Sequence, residues 1–465
     1  MQKNVLNCSV REKVMYSVGD AGGYLILMLI SSYLTLYYTD NIGLAAAYAG
    51  TMMLVCRIFD GVSDIIVGIL IDSTHTRWGK ARPWFVLSIL PMLISFISVF
   101  NIPKGLSVSG LKIYTVVTYF LVTVVFYTIN NIAYHAMLQR FSFSSQDRSA
   151  VSGVRSIVTI IAGTLASIAT PILIPLLGGE KNQHTWTVLV LIYGGISTIF
   201  LGITALGIKE RLSEQKIEET TDSVAHNKRH IINELKLLLK CKYFYLAIAL
   251  VLAYTTSSNM TGINYYYARD VIGDTNFLSL GGAVGMIPMI VGTPFIPLLF
   301  KKLGKRRTMI GGLIFSTACS LGILINPQSI PINLIFGTLK TVGTLPVIVA
   351  LATLAGDISD YNHMRNGVRS EGLTTSAYSI GLKLGTGLGA AIVGWMLTFG
   401  HYSAELAIQP DSAISAMIIT SAVIPAIIYV VSIIILGFWD IEKYQPEVQD
   451  FMKKQILLND ERSGQ

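Results

Sequence analysis

Three ionisable residues interrupt an otherwise apolar stretch, CRIFDGVSDIIVGILID, at positions 56–72. Arg57, Asp60 and Asp64 follow one another at intervals of three and four residues, which places them on one face of an α-helix. Adjacent carboxylates, with the hydroxyl of Ser63 beside them, suit a proton or a hard cation such as sodium. Arg57 could instead form a structural ion pair with Asp60, but one negative charge would then be left over. The spacing therefore predicts a cation site, with the ion pair as its alternative.

A second set of polar residues follows a helical period in the stretch YTINNIAYH. Thr128, Asn131 and His135 occur at i, i+3 and i+7, which forms a polar stripe on an apolar helix. An isolated histidine there could be hydrogen-bonded packing, but a stripe of this kind favours a polar cavity. Asp20 lies in the segment GDAGGY at the start of the first apolar run, where an interfacial position is equally consistent with the sequence.

Two lysines also lie inside apolar runs. Lys383 occurs within SAYSIGLKLGTGLGAAIVGW, too deep to reach the interface easily, and the glycines around it permit close helix packing. Ionisable residues at such depth usually face a cavity or a partner, because exposure to lipid costs about 2.5 to 3.5 kcal/mol each. Lys340, within FGTLKTVGTLP, is compatible with either a cavity or the interface.

The composition places these residues in a membrane protein. Of the 465 residues, 52% are hydrophobic and 13% are charged, against roughly 25% charged in a soluble protein, and the mean hydropathy is +0.58. Many apolar runs reach the roughly 20 residues that span a bilayer. The first run lacks the small-residue cleavage site of a signal peptide, so we expect it to remain as a helix. The four cysteines are scattered and predict neither a disulfide nor a metal site.

The apolar runs predict an all-α membrane protein with twelve transmembrane helices. Turn-forming and charged residues separate these runs from one another. The predicted helices begin near residues 21, 48, 84, 111, 151, 186, 242, 277, 308, 331, 372 and 411.

The basic residues predict the orientation of these helices. Of the 35 Lys and Arg residues, 28 lie in the termini and in the connections on the same side, and four lie in the alternate connections. This asymmetry predicts that both termini are cytoplasmic, and we expect a multi-pass protein of a bacterial inner membrane. It also accounts for the net charge of +8. The basic stretch HNKRHIINELKLLLKCK is therefore expected to lie along the membrane and not to bind nucleic acid.

The chain divides into two similar halves around its longest hydrophilic segment. The sequence SGVRS at 152–156 recurs as NGVRS at 366–370, at corresponding positions of the two halves. We expect two pseudo-symmetric six-helix bundles around a central cavity, the arrangement of secondary transporters. The predicted parts are a first bundle at 1–208, a central cytoplasmic loop at 209–241, a second bundle at 242–440 and a cytoplasmic tail at 441–465.

Two stretches of the sequence resemble those of a known family. RIFDGVSDIIVGILIDSTHTRWGKARP and GDISDYNHMRNGVRSEGLTTSAYSIGLKLG are similar to the glycoside-pentoside-hexuronide:cation symporters of the major facilitator superfamily, and the resemblance covers nearly the whole chain. It implies that the two carboxylates of the second span bind the coupling cation. The residues implied for the cation are Asp60 and Asp64 with Ser63 and Thr128, and those implied for the sugar or its coupling are Asp20, Arg155 and Lys383.

Two departures from the family pattern bear on the substrate. Melibiose-type carriers place an Asp where this chain has Asn131, and a Trp where it has His135. With Arg57, this pattern is closer to the glucuronide branch, and the missing carboxylate lowers repulsion of an anionic sugar. We expect a sugar or glycoside, with a uronide as a candidate, and not a melibiose-like galactoside. Sodium prefers more oxygen ligands than are evident here, which favours a proton as the coupling ion.

The resulting hypothesis is symport by alternating access in a carrier that functions as a monomer within the bilayer. The cation neutralises the carboxylates, the sugar then binds near Asn131 and His135, and the loaded halves rock about the site. Charged residues in the cytoplasmic connections could form gates. The alternative for the basic ones is that they only set the orientation of the chain in the membrane. The candidate gate residues are Asp72, Arg77, Lys80 and Arg82 in the first half, and Asp357, Asp360, Arg365, Arg369 and Glu371 in the second.

Two other functions are compatible with twelve helices. A lipid or amphiphile carrier would need a largely apolar cavity, which the polar residues of the first, second, fourth and eleventh spans disfavour. A sensor that binds sugar without moving it is the other, although the short C-terminal tail offers no signalling domain. The sequence shows no pairing of a nucleophile with a general base and no metal cluster that would indicate an enzyme. No cofactor is predicted.

Overall fold

A computed structural model describes residues 8–141, 145–208, 210, 241–366, 371–448 and 450–451 of the chain. The described residues form twelve long helices, which confirms the predicted all-α class and the number of spans. Eleven of them are long and apolar enough to cross a membrane, and the twelfth is the helix that carries Arg57, Asp60 and Asp64.

The helices begin within a few residues of the predicted positions, except where the polar first turns extend them. In chain order they are α1 Val10–Asn41, α2 Ala46–Ser73, α3 Arg82–Val99, α4 Val108–Phe141, α5 Ser145–Leu176, α6 Gln183–Gly207, α7 Lys242–Ile272, α8 Asn276–Leu303, α9 Lys305–Ile325, α10 Ile330–Asn366, α11 Glu371–Phe399 and α12 at 411–437.

The start of α1 shows how local sequence fixes a helix boundary. The Ser9 hydroxyl accepts the backbone N–H of Glu12, and the Glu12 carboxylate accepts the backbone N–H of Ser9 in return. This reciprocal arrangement satisfies two donors that the first turn of a helix leaves unpaired. The polar residues before the first apolar run are therefore already helical.

The chain forms two compact units that cut across the boundary between the predicted bundles. The first unit contains the described residues up to 210 together with Asn259–Ala283 and Thr386–Thr420. The second contains 241–258, Val284–Gly385 and the residues from Ser421 onward. The predicted division at the central loop therefore stays a prediction.

In the first unit, α1 packs along α5 and α6 and is also fixed to α4. Tyr16 of α1 and Tyr134 of α4 stack with ring centroids 4.2 Å apart. Each hydroxyl donates to the other residue's backbone carbonyl, at 3.0 and 2.8 Å. Since Asp20 lies one helical turn after Tyr16, this pairing fixes the face of α1 on which Asp20 lies.

Two ends of the first unit are distinguished below. The near end is the one where α1 begins and α6 ends, and the far end is the one where α1 ends and α6 begins. At the far end, α2 and α11 approach through glycines. A Cβ at Gly50 would lie 2.9 Å from the carbonyl oxygen of Ala390, and one at Gly394 would collide with the carbonyl of Ala46. Larger side chains would therefore separate these two helices.

In the second unit, α9 packs along α10 and α12. Its core includes Tyr243 and Trp439, both about 1% exposed, with ring centroids 5.6 Å apart. Asp440 accepts hydrogen bonds from the ammonium of Lys242 at 2.7 Å and from the hydroxyl of Tyr243 at 2.6 Å. The start of α7 is thereby fixed to the end of α12.

One arrangement occurs in both units at the start of their third helix. Glu210, after α6, accepts the backbone N–H groups of Lys80, Ala81 and Arg82 at 3.0, 2.8 and 2.7 Å. Glu442, after α12, likewise accepts the backbone N–H of Arg306 near the start of α9. Both carboxylates lie where the helix dipole favours negative charge. We call each of these arrangements a carboxylate clamp.

The arginines at these two helix starts are also used alike. The guanidinium of Arg82 donates twice to the carbonyl of Ala205, at 3.1 and 2.8 Å. The guanidinium of Arg306 donates to the carbonyls of Leu436 and Gly437, at 2.8 and 2.5 Å. Each arginine thus donates to carbonyls in the last turn of the sixth or twelfth helix, where carbonyls lack the usual helical partners.

Candidate functional site

The Asp60 carboxylate of α2 is buried and held from two sides. Its exposed fraction is 3%. The Nη1 of Arg57 lies 3.1 Å from Oδ2, and the hydroxyl of Thr128 donates to Oδ1 at 2.7 Å. The helical spacing that predicted one face for Arg57 and Asp60 is therefore present as a direct contact. Thr128 adds a hydroxyl oxygen from α4 to the same carboxylate.

The other two predicted cation-site residues lie near this carboxylate on α2 but are held differently. Asp64 lies one helical turn after Asp60 and is half-buried. The Ser63 hydroxyl donates to the backbone carbonyl of Val124 at 2.6 Å. That carbonyl lies in the π-helical part of α4, Leu121–Phe126, where the wider turn changes the ordinary bonding pattern. Ser63 therefore joins α2 to α4 in this structure.

Arg57 is almost fully enclosed and borders a small cavity. It is 7% exposed, and its Nε has no hydrogen-bond partner among the described residues. The lining of this cavity consists of Ile30, Ser31, Met53, Arg57, Tyr119, Asn259, Thr386, Gly387 and Ala390.

A second polar cluster joins α1 to α5. The Thr159 hydroxyl donates to Oδ2 of Asp20 at 2.7 Å. The Nε of Arg155 lies 3.9 Å from the same oxygen, which is close enough for an ion pair but beyond hydrogen-bond distance. Both side chains are about a quarter exposed. Asp20 is therefore a member of this cluster, and not only an interfacial residue.

The predicted stripe of α4 contributes to the same region. Nη1 of Arg155 lies 3.3 Å from Nδ1 of His135. The side-chain amide of Asn131 donates to the hydroxyl of Tyr127 at 3.5 Å, at the limit of a hydrogen bond. Thr128 and His135 thus contact different charged residues, Asp60 and Arg155. The stripe connects the carboxylate of α2 with the cluster of α1 and α5.

The two deep lysines belong to the second unit. Lys383 is half-buried on α11, and Lys340 is half-buried on α10. Both are therefore partly sheltered, as a charged residue within a span requires. The backbone carbonyl of Lys340 accepts the hydroxyl of Ser316 at 2.9 Å, which joins α9 to α10.

Most of the predicted gate residues that the structure describes are exposed or bound within their own unit. In the first unit, Asp72 and Arg77 are exposed. The backbone N–H groups of Lys80 and Arg82 take part in the carboxylate clamp, and the Arg82 guanidinium donates to the carbonyl of Ala205. Arg365 is exposed in the second unit.

The acidic gate candidates of the second unit lie at the end of α10. Asp357 contacts the ammonium of Lys305 at 2.5 Å. It follows the apolar part of α10, which ends at Leu351. Burial raises the pKa of the Asp357 carboxyl, and the ammonium acts in the opposite direction. Asp360 is half-buried nearby, Arg369 lies outside the described residues, and only the backbone of Glu371 is described.

The sequence reasoning missed a charged cluster at the far end of the first unit. Arg269 contacts Asp40 at 2.6 Å, Glu180 at 2.9 Å and Asp270 at 2.8 Å. The hydroxyl of Tyr402 donates to both oxygens of Asp40 at 2.8 Å. In the sequence, Arg269 was visible only as one of four basic residues on the sparsely charged side. We call these five residues the far-end cluster.

Comparison with known sequences adds an independent finding. A profile of the family described as MFS/sugar transport protein matches residues 15–443. The chain is 29% identical to the isoprimeverose transporter of Lactiplantibacillus pentosus, over 99% of the chain and 96% of that protein. It is 26% identical to the glucuronide carrier protein homolog of Escherichia coli (strain K12), over 93% and 92%.

The fold also resembles that of solved transporters. A bacterial homolog of the human lysosomal transporter Spinster, in an inward-facing and occupied conformation, matches with a TM-score of 0.67. The match covers 96% of the chain and 98% of that structure, at 11% sequence identity. At this identity the likeness concerns the fold alone.

Proposed function

Because the chain belongs to the MFS/sugar transport family and is a cation-coupled sugar symporter and not an enzyme, we propose that Asp60 and Asp64 bind its coupling ion. The observation that carries this proposal is the buried Asp60 carboxylate between Arg57 and Thr128. Asp60 and Asp64 place two carboxylates on one helical face, and an incoming cation cancels negative charge there. Because the family consists of sugar transporters, sugar symport takes the place of the lipid-carrier and sensor hypotheses.

We propose a proton as the coupling ion. Sodium binding favours several oxygen ligands around one position. Of the two hydroxyls predicted to assist, that of Thr128 donates to Asp60, whereas that of Ser63 donates to the carbonyl of Val124 and not to a carboxylate. A proton needs only one carboxylate oxygen, and Asp64 is half-buried one helical turn after Asp60.

For the substrate we propose an anionic sugar, a uronide. The guanidinium of Arg155 has a long ion pair with Asp20, a bond to the ring of His135 and an Nε without a hydrogen-bond partner among the described residues. A planar guanidinium with available donors suits a carboxylate, which can accept two parallel hydrogen bonds. Asn131, in place of a carboxylate, adds no repulsion to such a substrate.

A neutral glycoside is the second candidate. The relative from Lactiplantibacillus pentosus is an isoprimeverose transporter by name, and it is slightly more similar to this chain than the glucuronide carrier homolog is. Asp20 and Asn131 could accept and donate hydrogen bonds to sugar hydroxyls. Arg155 would then serve as the ion-pair partner of Asp20.

We propose further that the two six-helix bundles at 1–208 and 242–440 alternate about the site, with both termini cytoplasmic and one chain as the working unit. The split of 28 basic residues against four supports this orientation, in which the far end of the first unit faces outward. Lys383 is assigned to the sugar site of this mechanism. The described gate candidates would act by holding the cytoplasmic ends of their own bundles.

Uptake by purified protein in lipid vesicles tests these assignments. Radiolabelled glucuronides, neutral xylosides and neutral galactosides are supplied with an inward proton gradient, an inward sodium gradient or neither. We expect the proton gradient to concentrate the glucuronide, and a proton-carrying ionophore to abolish the accumulation. Accumulation driven by sodium alone would contradict the proton, and accumulation of xylosides without glucuronides would contradict the uronide.

An Arg155 variant separates the two substrate classes at the residue level. Arg155→Gln should weaken glucuronide binding about tenfold or more, because a charged hydrogen bond to the carboxylate contributes about 1.5 to 3 kcal/mol. Arg140→Gln is the matched control, because Arg140 lies near Glu210 at the near end and away from Asp20. Equal loss of neutral glycoside binding in Arg155→Gln would indicate a structural role for Arg155.

A further inference from the structure

The far-end cluster holds together segments that are distant in sequence. Asp40 ends α1, Glu180 precedes α6, Arg269 and Asp270 end α7, and Tyr402 follows α11. Each contact is 2.9 Å or shorter. The Asp40 side chain has no exposed surface, and Arg269 is about a fifth exposed. Such contacts close this end of the unit in the present conformation.

The helix ends that carry the cluster repeat one another in sequence and in backbone geometry. Tyr37, Asp40 and Gly43 recur at the same spacing as Tyr267, Asp270 and Gly273. Both segments end in a π-helical turn, Tyr37–Asn41 in α1 and Tyr267–Ile272 in α7.

The two glycines that follow have left-handed backbone, with φ of 79° for Gly43 and 82° for Gly273. Glycine is the residue that adopts this conformation without a Cβ penalty. π-Helical turns are rare in proteins, and those that do occur are often found at functional sites. The first helix of each predicted bundle therefore ends in the same way, with a π-helical turn followed by a left-handed glycine, and the cluster includes residues from both ends.

Arg269 occupies the position in this repeat that corresponds to Thr39. The Thr39 hydroxyl donates to Oδ1 of Asp40 at 2.7 Å and lies 2.7 Å from the hydroxyl of Tyr266. Where the first helix has a neutral hydroxyl, the seventh has the guanidinium that Asp40 and Glu180 contact. The positive charge in the ion pair between the two segments therefore comes from the seventh helix.

A second seam closes the same end between α2 and α11. The indole N–H of Trp395 donates to the hydroxyl of Thr51 at 3.0 Å, and the backbone N–H of Ala47 donates to the hydroxyl of Thr398 at 2.9 Å. The glycine contact of Gly50 with α11 lies in the same seam. Polar contacts and close backbone packing thus join α2 and α11 at the far end.

We infer that Arg269 is the central residue of a latch that closes the far-end entrance, and that its bonds to Asp40, Glu180 and Tyr402 break each time the entrance opens. This inference rests on the alternating-access mechanism proposed above. Three carboxylates around one guanidinium leave an excess of negative charge, so the closed state depends on Arg269 more than on any one of its partners. Water and sugar reach the cavity beside Arg57 from the far end only after the latch opens.

Cysteine labelling measures whether the latch controls access. Ser31 is half-buried and lines the cavity beside Arg57. In a Ser31→Cys reporter, a membrane-impermeant maleimide reacts with the cavity from the far end, and labelling of the parental protein is subtracted. All four natural cysteines are buried, which keeps that background low.

Arg269→Gln should raise the far-end labelling rate of the reporter by about tenfold or more, because the loss of a buried charged partner shifts a two-state equilibrium by at least that factor. Tyr402→Phe removes one hydroxyl, which accepts from Arg269 and donates to Asp40, and should shift the rate in the same direction by less. Lys104→Gln is the matched control on the same side, where Lys104 is exposed, and should leave the rate unchanged.

Parental labelling rates in both folded variants, Arg269→Gln and Tyr402→Phe, would overturn the latch. If Arg269→Gln fails to fold, the rate of Tyr402→Phe decides the question. Labelling is performed in right-side-out and in inverted vesicles. A rise confined to inverted vesicles would support the latch and contradict the orientation proposed above. A protein that shows the rise but transports none of the tested sugars would support the latch and contradict the proposed substrate.

Discussion

The contacts of Asp60 bear on both its pairing with Arg57 and its proposed role in cation binding. Burying an isolated carboxylate is costly, and the contacts to Arg57 and Thr128 compensate for that cost. Arg57 in turn has a donor without a hydrogen-bond partner among the described residues, so the pair is held through one guanidinium nitrogen. A pair of this kind can rearrange when a cation reaches Asp60 or Asp64, because Arg57 has further donors to use. The ion pair and the cation site are therefore compatible.

Neutralising the carboxylates separates these two roles. Asp60→Asn and Asp64→Asn keep the size of the side chain but remove the charge that a cation cancels. We expect both variants to lose concentrative uptake and to keep exchange of labelled for unlabelled sugar, since exchange needs no release of the ion. Both assays are run on the same vesicles, corrected for carrier content.

A purely structural pair leads to a different result for Asp60→Asn. Arg57 would lose its charged partner in a buried position, which destabilises a protein by about 3 to 5 kcal/mol. The amount of folded protein, exchange and uptake would then fall together, while Asp64→Asn would behave like the parent. Full proton-driven accumulation in both variants would exclude the carboxylates as the cation site.

Lys383 is the residue that tests the contribution of α11. A half-buried ammonium within a span has partners that its removal would leave unpaired. We expect Lys383→Ala to weaken sugar binding or to uncouple it from the ion, and Lys340→Ala to have a smaller effect. Equilibrium binding and accumulation are measured together for both variants. Parental values for Lys383→Ala in both measurements would remove this residue from the site.

At the scale of the helices, the carboxylate clamps are the feature whose removal has the most direct effect on stability. Glu210 accepts three backbone N–H groups at the start of α3, and its side chain is 3% exposed. Glu210→Gln replaces one acceptor oxygen with a donor and removes the charge that complements the helix dipole.

We expect Glu210→Gln to lower the free energy of unfolding by about 1 to 3 kcal/mol, the cost of leaving a buried hydrogen-bonding group unsatisfied. Thermal unfolding in detergent measures this loss. Glu405→Gln, at an exposed position, is the control and should change stability by no more than about 0.5 kcal/mol. Equal melting temperatures for the two variants would show that the clamp does not stabilise α3.

The elements that the sequence predicted are those set by local patterns. Helix starts near 48, 84 and 411 follow from apolar length and turn residues, and the structure places them within two residues. The clamps could not be predicted, because Glu210 bonds residues about 130 positions earlier in the chain. A glutamate in a hydrophilic segment carries no local signal of such a contact.

The candidate site divides in the same way. Arg57 and Asp60 were paired by helical spacing alone, since both lie on α2. The contact of Thr128 with Asp60 was implied by resemblance and needed the packing of α4 on α2 to be seen. The bond of Arg269 to Asp40 joins residues 229 positions apart, and the sequence contained only a sparsely charged loop at each end.

At the scale of the whole molecule, the charge moved per cycle links the site to the driving force. A membrane potential of about 100 mV contributes about 2.3 kcal/mol per elementary charge moved across the bilayer. A proton carried with a neutral glycoside moves one positive charge. A proton carried with a uronate moves no net charge, because the carboxylate of the sugar cancels it. The same carrier would then respond to different parts of the proton gradient for the two substrates.

This difference gives a prediction that needs no mutation. In vesicles with a fixed inward pH gradient, potassium and valinomycin set the potential independently. We expect glucuronide uptake to follow the pH gradient and to stay unchanged when an interior-negative potential of about 100 mV is imposed, since no net charge moves in a one-to-one cycle. Any neutral glycoside that the carrier accepts should be accelerated by the same potential, and it serves as the internal control. Glucuronide uptake that rises with the imposed potential at constant pH gradient would contradict a single-proton cycle.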